Sequence, residues 1–197
     1  MYSEEQWDRR WRIRTCGRDT QAEDAHHRPY EPTPYAVLDR LTDSGLIGRD
    51  NTLLDYGCGK GRAALLLSHR TGCKSVGIDF NPALITAAEE NRASFAGHAD
   101  TVFCCADAGR YEIPGEADRF YFFNPFSAEI LRAVVSRIVG SWYSQPRPML
   151  LFFYYPSDEA VRFFAAEAML CPVREIDCSD LFPGDGRERL LVYSVGS

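Results

Sequence analysis

At 197 residues, 45% of them hydrophobic and 25% charged, the chain has the size of one domain and enough apolar content for a substantial core. No apolar run reaches the ~18 residues of a membrane-spanning helix, and the charged stretch Met1 to Arg14 holds no signal-peptide core, so neither a membrane partner nor a secretory route is expected. The net charge of −6 disfavours nucleic acid as the main partner, because phosphate binding needs a basic surface.

Residues 1–30 are polar and read as an N-terminal extension, helical in part, with Trp7 and Trp11 spaced to share one helix face. Arg9, Arg10, Arg12, Arg14 and Arg18 crowd this segment. A solvated terminal helix is the plainer reading and a docking arm for an acidic partner the alternative. His26 and His27 read as loop residues. Thr33-Pro34 predicts a helix start with proline at the first helical position. Val37, Leu38 and Leu41 form its buried stripe, and Gly45 or Gly48 ends it.

From residue 51 strands and helices alternate. Thr52 to Tyr56 is a buried strand, followed by a glycine turn and a helix over Arg62 to His69. Ser75 to Phe80 is a second strand, and Asn81-Pro82 caps a helix running to about Phe95. Thr101 to Ala106 is a third strand. Pro114 and Gly115 reduce the next crossover to a turn. Arg119 to Asn124 is a fourth strand. Ser127 caps a helix in which Ile130, Leu131, Val134, Val135, Ile138 and Val139 recur at helical spacing. Met149 to Tyr155 is an unbroken apolar run, as in a strand covered on both faces. Ser157 starts a further helix with acids in its first turn. Val173 to Cys178 and Leu190 to Val195 then follow as strands with only a turn-rich loop between them, which favours an antiparallel hairpin. The pattern predicts an α/β fold: a doubly wound, mostly parallel seven-stranded sheet with an antiparallel C-terminal strand.

The seven cysteines, Cys16, Cys58, Cys73, Cys104, Cys105, Cys171 and Cys178, form no CxxC pair. Their number is odd, which fits a reducing cytoplasm and small core residues rather than a metal site.

Ligands of open parallel sheets bind at the carboxyl ends of the strands. Four such ends carry suggestive residues. The first is Asp55-Tyr56-Gly57-Cys58-Gly59-Lys60-Gly61, where glycines allow a tight turn and close ligand approach. The dinucleotide fingerprint fails because Arg62 stands at its third glycine, and the P-loop fails because Gly61 follows Gly59-Lys60 where Ser or Thr is needed. The second is Asp79, an acid able to accept hydrogen bonds from both ribose hydroxyls, or simply a turn residue beside Asn81-Pro82. The third is Asp107, which suits an adenine amine with the backbone of Ala108 addressing the ring; a plain turn acid is the alternative. The fourth is Asn124-Pro125-Phe126, where a buried Asn can accept from an amine nucleophile, or form a turn of favoured turn residues. Lys60 reads as pointing to solvent, with a cofactor carboxylate as the alternative.

These positions together resemble the class I S-adenosylmethionine-dependent methyltransferase family. Asp55 to Gly61 matches its (D/E)-x-G-x-G-x-G motif in full. Asp79 matches the acid after the second strand, Asp107 the acidic position after the third, and Asn124-Pro125-Phe126 the motif after the fourth. The resemblance spans about residues 33 to 197. It implies S-adenosyl-L-methionine with its methionine part on Gly57, Cys58, Gly59 and Gly61, its ribose on Asp79, and adenine between Phe80 and the Asp107–Ala108 region. It implies Asn124, Pro125 and Phe126 beside the reacting centre, with no metal. Amino-methylating members often carry (N/D)-P-P-(F/Y), whereas one proline stands here between Asn124 and Phe126. Tyr30-Glu31-Pro32-Thr33-Pro34-Tyr35 is similar to the Tyr-x-Pro-Thr segment of some protein-lysine methyltransferases.

The expected organisation is an N-terminal extension or lid over 1–32 and a Rossmann-like methyltransferase domain over 33–197. The expected acceptor is a protein side chain or a small molecule. A non-catalytic S-adenosylmethionine-binding module and an RNA methyltransferase are the alternatives. A nicotinamide oxidoreductase is disfavoured by Arg62 and the antiparallel end. Phe80, Phe123, Phe126, Tyr154 and Tyr155 are candidates for the pocket wall, or for ordinary core packing.

Overall fold

Strand β1 (Thr52–Tyr56) is buried along its whole length, because parallel neighbours flank it and helices cover both its faces. The structure is a computed structural model that describes residues 2–17, 30–123 and 127–196. Beside β1 lie β2 (Lys74–Asp79) and β4 (Arg119–Phe123), with β3 (Asp100–Cys105) outside β2 and β5 (Leu150–Tyr154) outside β4, all parallel. β6 (Leu170–Asp177) and β7 (Arg189–Val195) complete a seven-stranded sheet of order β3-β2-β1-β4-β5-β7-β6. β7 pairs antiparallel with both β5 and β6. The strand order reverses between β1 and β4, and this creates the switch-point crevice at their carboxyl ends.

Side chains alternate between the two faces of the sheet. Leu54, Tyr56, Phe120, Phe122, Leu151 and Phe153 point to one core, which Leu131, Val134, Val135 and Ile138 of α5 (Ala128–Ser144) and Phe164 of α6 (Asp158–Ala166) close. Leu53, Tyr121, Phe152 and Val192 point to the other, under α2 (Tyr35–Asp43) and α3 (Arg62–Thr71). Helix α4 (Pro82–Ser94) follows β2, and Asn81 caps it by accepting the N–H of Ala83 at 2.9 Å. Ser157 caps α6 through Ala160 N–H, whereas Ser127 begins α5 without a side-chain capping bond. Pro34 is the N-cap of α2 rather than its first helical residue, and Gly45 ends that helix with a φ of 72°. No helix forms between β3 and β4, as Pro114 and Gly115 predict. The C-terminal hairpin is predicted, but its order is not: β7 inserts between β5 and β6. β7 is the apolar, buried strand, whereas β6 exposes Pro172, Val173, Arg174 and Glu175 along the sheet edge. No helix among the described residues is long and apolar enough to cross a membrane.

The N-terminal segment is built into this body. Ser3 and Gln6 form a capping box that starts α1 (Glu4–Trp11). Trp7 and Trp11 share a face as their spacing predicts, stacked at 6.5 Å with 10° between planes. Trp7 packs on Tyr35, and Trp11 on Phe95 and His69. Arg9, Arg10 and Arg14 are exposed, while Arg18, His26 and His27 lie outside the described residues. The strongest tie is Arg62, which is only 2% exposed. Its guanidinium donates to Thr15 Oγ1 at 2.6 Å, the Thr33 carbonyl at 3.1 Å, Asp8 Oδ1 at 3.2 Å and the Glu4 carboxylate, and lies 4.2 Å over the Tyr35 ring. Asp8, also buried, accepts from Tyr35 Oη at 2.6 Å, Thr15 Oγ1 at 2.7 Å and the backbone of Thr15 and Cys16.

Burial opposes the Asp8 charge. The hydrogen bonds from Tyr35 and Thr15 and the Arg62 charge outweigh it and hold this carboxyl below its ordinary value. Its contribution to stability is therefore present at neutral pH and disappears as pH falls through that depressed value. Asp8→Ala leaves Arg62 buried with a partner missing, and should lower the unfolding free energy at neutral pH by about 3–5 kcal/mol. Urea denaturation measures this; a loss within ~0.5 kcal/mol, the range of a surface substitution, would show that the buried pair does not secure the segment.

Candidate active site

The site is built where β1, β2, β3 and β4 end. Asp55, on β1, is 3% exposed, and its Oδ2 accepts the Ala64 N–H at 3.2 Å in the first turn of α3. The loop beyond it is stitched to β2, since the N–H groups of Gly57 and Cys58 both donate to the Ile78 carbonyl, at 2.8 and 3.0 Å. Two glycines here are obligatory. Gly61 has a φ of 85°, and a Cβ on it would lie 2.4 Å from Phe103 Cζ. Gly59 has a φ of 53°, and a Cβ on it would lie 2.3 Å from the Tyr30 ring. Cys58 is buried against these turns, and burial, reinforced by Asp55 and Asp79, pushes its thiol well up, so it stays a neutral packing residue.

Asp79 closes the loop from the other side. Its Oδ2 accepts the Gly59 N–H at 3.0 Å and its Oδ1 accepts the Asn81 N–H at 2.9 Å, with the residue only 8% exposed. The acid expected at the ribose and the loop expected at the methionine part are thus one hydrogen-bonded unit. Phe80 is 39% exposed beside it. Ala106 N–H donates to the Asp79 carbonyl at 2.9 Å and so brings the β3 end alongside. Asp107 is exposed there, accepts the Gly109 N–H at 2.8 Å and lies 3.5 Å from Arg110 Nε, while Ala108 is buried in the core. The bond from Gly109 closes a turn at the β3 end and leaves the Asp107 carboxylate exposed there. Asn124, Pro125 and Phe126 lie outside the described residues.

The ends of β4 and β5 carry aromatics. Phe123 packs on Tyr154 at 4.8 Å and edge-on to Tyr155 at 6.3 Å. Strand alternation predicts that only one of the two tyrosines serves a given face, yet both reach Phe123. The reason is the backbone of Tyr155, whose φ of 54° turns the chain out of the strand. Tyr155 Oη donates to Asp185 Oδ2 at 2.6 Å, and Tyr154 Oη to Glu188, so the β6–β7 loop is tied to the same rim. Lys60 is half-exposed, with Nζ 4.7 Å over the Tyr30 ring. Neither Arg62 nor Tyr30 stands out among the strand-end motifs, though Tyr30 opens the Tyr-x-Pro-Thr segment.

Burial pushes the Asp55 carboxyl up to about 7; the Ala64 N–H opposes the shift and the Asp79 charge adds to it. An unfolded aspartate titrates at about 4, so the folded chain holds this proton more tightly. The associated stability is fully present below the unfolded value and drains away as pH rises towards about 7. Asp55→Asn keeps an acceptor for Ala64 and should flatten that fall. Urea denaturation of both proteins between about pH 5 and about pH 8 measures it. Parallel pH profiles would overturn the assignment.

The chain is similar to known proteins in sequence and in fold. Residues 47–121 match the family model described as a methyltransferase domain. A protein-lysine N-methyltransferase of Saccharolobus islandicus (strain REY15A) is 33% identical over 66 residues, 33% of this chain and 41% of that protein. The match therefore spans about two-fifths of that relative's length. Among solved structures, an RNA methyltransferase from Salinibacter ruber in complex with S-adenosyl-L-homocysteine is 20% identical with a TM-score of 0.53, over 85% of this chain and 95% of that one. A TehB-like SAM-dependent methyltransferase from Corynebacterium glutamicum is 18% identical with a TM-score of 0.56, over 81% and 88%. A magnesium protoporphyrin IX methyltransferase from Synechocystis with bound SAM is 17% identical with a TM-score of 0.55, over 82% and 77%. At these identities the structural likeness establishes a common fold.

Proposed function

We propose that this chain, a class I S-adenosylmethionine-dependent methyltransferase by fold and by the match of residues 47–121, transfers a methyl group from S-adenosylmethionine to a protein side chain. One observation carries the cofactor reading: the Asp79 carboxylate holds the Gly59 N–H at the carboxyl end of β2, so acid and glycine loop form a preformed cradle at the switch point. The donor set fits the group. Asp55 and Asp79 are buried acids that repel one another, and a cationic sulfonium or ammonium held beside them relieves that repulsion. The partly exposed Phe80 ring offers a flat apolar surface for a purine.

S-adenosylmethionine supplies an already activated methyl group. The chain's own work is then to align a nucleophile and exclude water. Asp55 and the loop Gly57 to Gly61 orient the methionine end, Asp79 the ribose, and Phe80 with Asp107 and Ala108 the adenine. Asn124, Pro125 and Phe126 are assigned to the acceptor side. The likeness to a protein-lysine N-methyltransferase favours a protein acceptor, and the net charge of −6 disfavours RNA. The odd number of cysteines and the lack of a CxxC pair favour a reducing, cytoplasmic setting as part of this reading.

Asp79→Ala should weaken S-adenosylmethionine binding about tenfold or more, the loss of charged hydrogen bonds worth roughly 1.5–3 kcal/mol. Calorimetry measures this. Equal binding by the variant and the wild type would refute the ribose assignment. Labelled cofactor incubated with lysate should mark protein bands. Label in RNA instead would favour the RNA enzyme, and binding with no transfer at all would favour a non-catalytic module.

A further inference from the structure

Gly59 is held from two sides. Asp79 takes its N–H, and the Tyr30 ring fills the space where its side chain would point, with Cδ2 and Cε2 both 2.3 Å from an added Cβ. The ring is also fixed elsewhere. Tyr30 Oη donates to the Thr15 carbonyl at 2.6 Å, and Lys60 Nζ lies 4.7 Å over the ring. Burial pushes the phenol up, so it remains a neutral donor at physiological pH.

Thr15 is not free to move with Tyr30. Its hydroxyl accepts from Arg62 Nε and donates to Asp8 Oδ1, and its N–H donates to Asp8 Oδ2. Arg62 is the first residue of α3, directly after Gly61. The residue that leaves the glycine loop therefore fixes the segment that carries the ring back over that loop. Swinging the segment away exposes this cluster and strips a buried guanidinium of Glu4, Asp8, Thr15 and the Thr33 carbonyl at once. A buried charge with that many specific partners acts as a fastening rather than a hinge.

We infer that Tyr30 is a wall of the cofactor site, packed on the glycine loop, and that Arg62 is the positioning residue that keeps it there. This rests on the reading of the loop and Asp79 as an S-adenosylmethionine site. The N-terminal segment then belongs to the binding site itself as a fixed wall. Its aromatic ring contributes contact area and excludes water where a Gly59 side chain would point.

The test is calorimetry with S-adenosylmethionine and with S-adenosylhomocysteine on wild type, Tyr30→Ala, Tyr30→Phe and Arg62→Lys, with a thermal melt of each protein without ligand. Tyr30→Ala should raise both Kd values about tenfold, as expected for losing a buried aromatic contact. Tyr30→Phe keeps the ring and should recover most of the binding. Arg62→Lys keeps the charge but loses the planar fork, and should raise Kd several-fold in the same direction while the variant stays folded. A lower melting temperature with unchanged Kd in Tyr30→Ala and Arg62→Lys would reduce both residues to structural supports and overturn the inference. Tighter binding by Tyr30→Ala would overturn it too, because the ring would then block the loop rather than line it. If the wild type bound neither ligand, the reading of the site would fall first and this inference with it.

Discussion

The burial of Arg62 is the constraint on which the arrangement of this protein depends. A guanidinium at 2% exposure is stable only if its donors are satisfied, and the acceptors around it, Glu4, Asp8, Thr15 and the Thr33 carbonyl, all lie outside α3. They come from α1, from Thr15 and from the carbonyl of Thr33, which are far away in sequence and close in space. One residue at the start of α3 thus organises the N-terminal segment, the approach to α2 and the exit of the glycine loop. The aromatic stack of Trp7, Trp11 and Tyr35 adds apolar contact around it.

The site itself follows from strand order. Parallel strands end together, and the reversal between β1 and β4 leaves their ends uncovered by crossovers. Backbone bonds then set the distances. Ile78 accepts both Gly57 and Cys58, Asp79 accepts Gly59, and Asp79 in turn receives Ala106 through its carbonyl. The acids are consequently presented on rigid strand ends rather than on long loops. Concentrating two carboxylates in a buried place is costly, and the raised Asp55 value records that cost.

The second rim of the crevice is assembled differently. Tyr155 leaves β5 with a positive φ, and the Asp185 and Glu188 carboxylates hold the two tyrosine hydroxyls from the β6–β7 loop. β7 lies between β5 and β6, so that loop is delivered beside the end of β5. The antiparallel insertion therefore shapes this rim as well as completing the sheet.

The sequence by itself determined the element order, the α/β class and the positions of the strand-end acids. Those signals are local: apolar runs such as Leu150 to Tyr154, helical spacing in α5, and glycines demanded by backbone φ. It also located the glycine loop and Asp79, because each lies at the end of a strand whose boundaries the apolar pattern already marked. Only the tertiary structure decided the rest. The insertion of β7, the turn at Tyr155 that brings both tyrosines to Phe123, the placement of Tyr30 on Gly59 and the partners of Arg62 all depend on contacts between residues distant along the chain. An arginine read in sequence is a surface charge until its partners are known. Here those partners lie 29 to 58 positions away, and only folding brings them within hydrogen-bond distance.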